Sequence, residues 1–282
     1  MNAVITLTTD FGLADAYVAT MKGVILGINP EAKLVDICHT VRPQDILLAG
    51  FILSTAYPFF PKGSIHLVVV DPGVGSERKA IILRTPSADF VAPDNGVLSY
   101  VLEQCSQERA AEEGGGPRQR RLGPGLEAVA ITRPEFWRSP VSPTFHGRDI
   151  FAPVAAHLSL GHSPADFGES MNCLTVLPLA RPRRRKDGSL AGQVLHTDAF
   201  GNLITSIRCQ DLPPATGGLA VEVGGRVVRG LAYTYAEGEG LLALFGSSGY
   251  LEVSVKNGSA RDLLGADVGD EVIVRPSAGG EQ

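Results

Sequence analysis

The sequence predicts an α/β N-terminal domain over residues 1–185, with a mainly parallel sheet sandwiched by helices. A small all-β, barrel-like domain follows over residues 189–276. Three observations carry this expectation. Strand-like and helix-like segments alternate through about the first 100 residues. The strand-like segments there are apolar almost throughout, as strands covered on both faces are. Beyond an Arg/Pro-rich stretch at 181–188, helical periodicity largely gives way to short β-rich runs between Gly-rich turns.

Taken in order, residues 4–9 form a β-branched run that ends in the loop signal Asp10-Phe11-Gly12. Val18, Met21, Val24, Ile25 and Ile28 then recur at helical spacing until Asn29-Pro30 stops the helix. Residues 34–38 read as a second strand. Residues 46–56 are apolar nearly all round and suit a buried helix. A continuous apolar strand at 65–70 runs into Asp71-Pro72-Gly73-Val74-Gly75. Strands at 80–83 and 90–91 precede the turn Pro93-Asp94-Asn95-Gly96 and a short helix to about residue 102. Residues 104–125 break the pattern and read as a flexible surface insertion. Order returns at 128–131, and a helix is expected from about Asp149 to Leu160. Residues 181–188 read as a linker. Strands follow at 194–207, 219–228 (with a Gly224-Gly225 turn), 241–245 and 250–255, and 277–282 read as a frayed tail.

Composition narrows the functional classes. The chain has 282 residues, 44% hydrophobic and 20% charged, with a net charge of −5. No run approaches the roughly 18 consecutive apolar residues of a membrane span. The opening MNAVITLTTD lacks the basic region of a signal peptide, so a cytoplasmic address is expected. The arginine runs at 118–121 and 181–185 sit among Gly and Pro; solvated loops explain them better than a nucleic-acid footprint. Four scattered cysteines, Cys38, Cys105, Cys173 and Cys209, read as reduced structural thiols.

Two clusters carry chemistry. Asp71-Pro72-Gly73-Val74-Gly75-Ser76-Glu77-Arg78 places a carboxylate after an apolar strand, then a glycine turn, then a cation. Ligands in parallel sheets bind beyond strand carboxyl ends, which is where Asp10 and Asp71 fall. The bland reading is a tight turn with an exposed arginine; the spacing is not that of a phosphate loop. In Phe145-His146-Gly147-Arg148-Asp149, His146 at a helix start suits acid/base work near neutrality. Asp149 reads first as a helix cap. A metal hydrolase built on His39, Asp71, His146 and Asp149 lacks tight ligand spacing, so no metal site is expected.

These clusters join others in one order: Thr9-Asp10-Phe11-Gly12, Val35-Asp36-Ile37-Cys38-His39, Ala92-Pro93-Asp94-Asn95-Gly96, Asp198-Ala199-Phe200-Gly201-Asn202 and Gly249-Tyr250-Leu251. With them the chain resembles, over nearly its whole length, the S-adenosylmethionine hydroxide adenosyltransferases (SAM hydrolases). These are relatives of the fluorinating and chlorinating enzymes. The resemblance implies hydrolysis of S-adenosyl-L-methionine to adenosine and methionine, with no cofactor. It places a water-handling triad on Asp71, Arg78 and His146, and the ribose hydroxyls on Asp10. Asp198 falls on the binder of the methionine ammonium, Phe200 and Asn202 on the nucleoside contacts, and Ser247 on the methionine carboxylate contact. Phe145, beside the triad histidine, joins the substrate-binding set. The resemblance also implies a homotrimer with sites between subunits; composition itself leads to the expectation of no nucleic-acid or membrane partner.

Two alternatives stay open. A 5′-halo-5′-deoxyadenosine synthase would use a halide, but its carboxylate at the Asp71 position is replaced and its motif at His146-Gly147 differs. A non-catalytic adenosyl-ligand binding protein would keep Asp10, Asp198 and Asn202 without needing Asp71, Arg78 and His146 together.

Overall fold

The computed structural model describes residues 3–106, 115–212 and 218–277. Two compact units divide after Leu179. The first unit contains, in order, β1 (Val4–Thr9), α1 (Tyr17–Ile28), β2 (Lys33–Cys38), α2 (Ile46–Ala56), β3 (Ser64–Val69), β4 (Ala80–Arg84) and β5 (Ala88–Pro93). It continues with α3 (Ser99–Gln104), β6 (Arg118–Arg121), β7 (Glu127–Ile131), α4 (Ala152–Ser159), β8 (Gly168–Met171) and β9 (Cys173–Val176). A π-helical turn, Gly147–Phe151, leads directly into α4.

Seven strands form one sheet in the order β2-β1-β3-β5-β4-β7-β8. The pairs β2–β1, β1–β3 and β3–β5 are parallel; helices lie between β1, β2 and β3 in the chain, and β3 reaches β5 by way of β4. Beyond β5 the sheet turns antiparallel. The link between β4 and β5 is residues 85–87, closed by Thr85 N–H donating to Ala88 O at 2.9 Å. So short a link can join only antiparallel neighbours.

Period-2 alternation splits the apolar strands between two faces. Ile5, Leu7, Ile65, Leu67 and Val69 pack with Met21 and Ile25 of α1 and Val154 and Ala155 of α4. On the opposite face Val68, Val70, Ile81 and Leu83 pack with Leu48 and Leu53 of α2 and Val97 and Val101 around α3. That double coverage leaves the strands no solvent-facing side, and the polar Thr6, Thr8 and His66 are buried as well. The α2 boundary matches the apolar run because Asp45 caps it, accepting Leu48 N–H at 2.9 Å.

Two expectations are corrected. Residues 118–121, read as part of a flexible insertion, form β6 and pair antiparallel with β9. The two strands form a sheet of their own, so backbone pairing rather than apolar burial holds β6, helped by Gln119 Nε2 donating to Thr175 Oγ1 at 2.9 Å. The insertion's residues 107–114 and tail residues 278–282 lie outside the described residues. Within the stretch read as a linker, Arg183 and Arg184 pair with the start of the next long strand.

One buried group makes the first unit sensitive to acid. His66 of β3 has no exposed surface, is ringed by Tyr57, Phe60 and Phe90, and sets Nδ1 2.7 Å from Thr6 Oγ1. Burial pushes its pKa from 6.5 down to about 4. Between those values the unfolded chain takes up a proton that the fold refuses, so stability falls as pH drops through that window. The full loss is about 3 kcal/mol. Urea midpoints measured from pH 7 to pH 4 should decline by that contribution, and a His66→Leu chain should show a flatter profile.

The second unit comprises β10 (Arg183–Arg184), β11 (Leu190–Thr197), β12 (Leu203–Arg208), β13 (Leu219–Val223), β14 (Arg226–Arg229), β15 (Leu241–Phe245), β16 (Tyr250–Val255), α5 (Ala260–Leu264) and β17 (Glu271–Pro276). Its strands run antiparallel in the order β14-β13-β17-β11-β12-β16-β15, with β10 on β11. Past β14, Ala232 N–H donates to Ala243 O of β15 at 2.8 Å, drawing the two sheet ends together into a barrel-like wrap. Gly224 and Gly225, at φ 57° and 71°, supply the left-handed pair that a two-residue hairpin turn requires. Among the described residues no helix is long and apolar enough to cross a membrane.

Candidate active site

The parallel half of the first sheet directs the carboxyl ends of β1 and β3 to the same edge, and a cavity of about 400 Å³ opens there. Asp10 follows β1 directly, Asp71 follows β3 by two residues, and both line the cavity.

After Asp71 the chain doubles back. Val74 N–H donates to Asp71 O at 3.2 Å and Ser76 N–H to Gly73 O at 3.0 Å, which returns Arg78 onto Asp71. Arg78 Nε lies 2.9 and 3.0 Å from the two carboxylate oxygens, and Nη2 donates to Oδ2 as well. The arginine and aspartate side chains are only 11% and 5% exposed, so this pair is shielded from the screening that weakens surface ion pairs. Gly75 has φ 78°, and a Cβ there would stand 2.7 Å from Pro143 O. Glycine thus lets this turn close against the loop that carries His146.

Arg78 Nη2 also lies 2.9 Å from His146 Nδ1. A guanidinium can only donate, so Nδ1 accepts and the ring proton resides on Nε2. Burial first, then the Arg78 charge, hold the His146 pKa below 6.5 against the opposing pull of Asp71 and Asp149. At neutral pH the imidazole is therefore neutral, with an Nε2–H donor. The guanidinium also lies 5.1 Å from the centre of the Phe151 ring.

Asp10 is held from the other side. Its Oδ2 accepts Gln44 N–H at 2.8 Å, and Gln44 adopts a left-handed φ of 65° to present that donor. Gly12 N–H donates to His39 O at 2.7 Å and Thr9 Oγ1 lies 2.9 Å from His39 Nδ1, anchoring the turn after β1. Phe11, Tyr17 and Phe145 form an apolar wall, with ring centres 5.1 to 5.8 Å apart and Phe145 edge-on to both others.

The structure thus brings Asp71, Arg78 and His146 into contact and sets Asp10 and Phe145 around the same cavity. The remaining candidates belong to the second unit. Asp198 organises the loop between β11 and β12: Oδ1 accepts Phe200 N–H and Asn202 N–H, both at 2.9 Å, and Oδ2 accepts Asn202 Nδ2 at 2.8 Å. Asn202 is buried, whereas the Phe200 ring is 79% exposed. Ser247 is exposed in the hairpin turn between β15 and β16.

Sequence reasoning missed Tyr17 and Gln44 as cavity-lining residues; neither carries a motif signal. It also missed Glu252, a carboxylate 7% exposed on β16 that accepts the Tyr235 hydroxyl at 2.7 Å. A charge inside the apolar strand Tyr250–Val255 was the available signal. Burial, with the Asp198 charge behind it, pushes the Glu252 pKa up. Asp149 does not cap a helix: it lies inside the π-helical turn, and its carboxylate accepts the Ser142 N–H instead. Among the described residues no three His, Cys, Asp or Glu side chains gather as a metal-ligand group.

A shielded Asp–Arg–His cluster beside a ring-walled cavity at strand carboxyl ends belongs to an enzyme acting on a small polar molecule. Residues 5–168 match the SAM hydroxide adenosyltransferase N-terminal domain and residues 192–273 its C-terminal domain, and the chain belongs to that family. It is 39% identical over 272 residues to the (R)-S-adenosyl-L-methionine hydrolase of Salinispora tropica, covering 96% of this chain and 97% of the relative. The enzyme of that name from Thermus thermophilus is 40% identical over 267 residues, covering 93% and 95%. A fluorinase of Nocardia brasiliensis is more distant, at 26% over 235 residues and 74% and 72% coverage. The solved structure of a conserved protein from Thermotoga maritima superposes with a TM-score of 0.83 at 35% identity, covering 96% of this chain and 99% of that one.

Proposed function

We propose that this protein hydrolyses S-adenosyl-L-methionine to adenosine and L-methionine by in-line attack of water on the ribose C5′. The observation that carries this reading is the Asp71–Arg78–His146 cluster with its neutral imidazole. The substrate's sulfonium leaves as a neutral thioether, so the reaction needs neither a general acid nor a cofactor. What remains is to hold one water in line and receive its proton.

The cluster divides those tasks. His146 Nδ1 is engaged by Arg78, so the ring offers its Nε2–H as a donor to the water oxygen. Asp71 keeps lone pairs beyond those used by Arg78 and receives the proton as the oxygen–carbon bond forms and the carbon–sulfur pair returns to sulfur. An attacking oxygen with hydroxide character cancels the sulfonium charge, a change favoured where water is excluded. The Phe11, Tyr17 and Phe145 rings supply that exclusion. Asp10, with Oδ2 fixed by Gln44, offers its other oxygen to ribose hydroxyls.

A halide nucleophile fits less well, because the Asp71 carboxylate lines the cavity and repels an anion. Asp198 would pair with the methionine ammonium, Phe200 and Asn202 would meet the nucleoside, and Ser247 the methionine carboxylate. The triad lies in the first unit and these residues in the second. That division supports a homotrimer in which one subunit's first unit and a neighbour's second unit build each site. Four free thiols agree with action in the reducing cytoplasm.

Incubation with S-adenosylmethionine in ¹⁸O-labelled water tests the reaction. Adenosine labelled at the 5′ oxygen, with methionine released, is the expected result. Unchanged substrate that still binds by calorimetry would favour the non-catalytic reading.

A further inference from the structure

Asp149 contributes nothing to the chemistry just described, yet it is fully buried and carries a charge. Its Oδ2 accepts Ser142 N–H at 2.8 Å, and its backbone carbonyl accepts Arg138 N–H at 2.8 Å. Those two bonds tie the irregular stretch at 138–142 to the π-helical turn. Residues 143–148, with Phe145 and His146 among them, are thereby closed into a short loop.

The carboxylate also grips its own neighbour. Arg148 Nε lies 2.6 Å from Oδ1 and Nη2 2.7 Å from Oδ2. Adjacent residues on a regular helix point about 100° apart and do not face each other. Here the arginine curls back, and its guanidinium settles 5.2 Å from the centre of the Phe145 ring. One carboxylate therefore fixes the loop's entry through Ser142 and its aromatic wall through Arg148.

We propose that Asp149 is a positioning residue that clamps the 142–149 loop so that His146 stays against Arg78 and Phe145 stays in the cavity wall. The proposal rests on the hydrolytic reading above, since it assigns Asp149 to the support of that site. The charged groups that act on His146 are Arg78 and Asp71 from the turn after β3 and Asp149 from its own stretch, with Asp10 from the turn after β1 lining the same cavity. Burial and the Arg78 contact are the leading causes of its low proton affinity, and the Asp149 charge is the last and opposes them. Loosening the loop and removing that charge thus push His146 in opposite directions, so a rise in its pKa marks the loosening.

The test is Asp149→Asn, which preserves shape and an acceptor for Ser142 but gives up the ion pairs with Arg148 and Arg138. Two readouts are taken: the His146 titration followed by NMR without substrate, and kcat and KM for S-adenosylmethionine. Positioning predicts that the His146 pKa rises toward its ordinary value of 6.5 and that kcat falls at least tenfold, more than KM changes. A His146 pKa at or below wild type, or a kcat within twofold of it, overturns the proposal. If the wild-type protein itself turns over no S-adenosylmethionine, the hydrolytic reading fails and the titration alone decides on Asp149. Should Asp149→Asn not fold, Arg148→Lys carries the same two readouts. Lysine keeps the charge but lacks the two-pronged grip and the plane over Phe145, so both changes keep their direction.

Discussion

Asp71→Asn is expected to lower kcat for S-adenosylmethionine hydrolysis by about 10³-fold, with a much smaller change in KM. The amide matches the carboxylate in shape, so Arg78 still finds an acceptor. It loses what the reaction uses: a base able to take the water's proton, and the negative charge that balances the guanidinium. Arg78 is left almost buried with only a neutral partner, and its charge then bears undiminished on His146. Single-turnover measurement at saturating substrate separates this loss from binding, and a thermal scan shows whether the fold is kept. Turnover within tenfold of wild type would remove Asp71 from the role of proton acceptor.

Complementation between two inactive chains gives the second large effect. Asp71→Asn and Asp198→Asn chains, each inactive at low substrate when alone, should recover activity when co-expressed with distinct tags and purified as mixed oligomers. If each site draws its first unit from one subunit and its second from a neighbour, every trimer that contains both chains has about one site in three with both aspartates intact. Activity near that fraction of wild type is the expected result. A site built within one chain would yield no recovery, because every chain then lacks one aspartate.

Much of the first unit was legible because burial on both sheet faces writes itself into sequence as unbroken apolar runs, such as Leu67 to Val70. The ends of those runs marked Asp10 and Asp71, and the glycine turn to Arg78 marked the cluster. The elements that escaped rest on other forces. Strand β6 is Arg-Gln-Arg-Arg, held by backbone pairing to β9, and its composition resembles that of a loop. The antiparallel half of the sheet was encoded only in the short link at 85–87. The clamp at Asp149 was read as a cap because an acid near a helix start usually is one. Its partners, Ser142 and Arg138, precede it on a loop whose path no periodicity reveals.

The packing of α1 against α4 has a consequence for how the protein is made. The inner face of α1, with Met21 and Ile25, is covered by Val154 and Ala155, and Asn29 Nδ2 donates to Ser159 Oγ at 2.8 Å. A ribosome releases the chain from its amino end, so β1, α1, β2 and β3 emerge long before their lid does. Until residue 159 has cleared the exit tunnel, the apolar surface of α1 and the sheet that α4 covers stays bare. That interval, rather than any property of the finished enzyme, is when the chain is most exposed to aggregation.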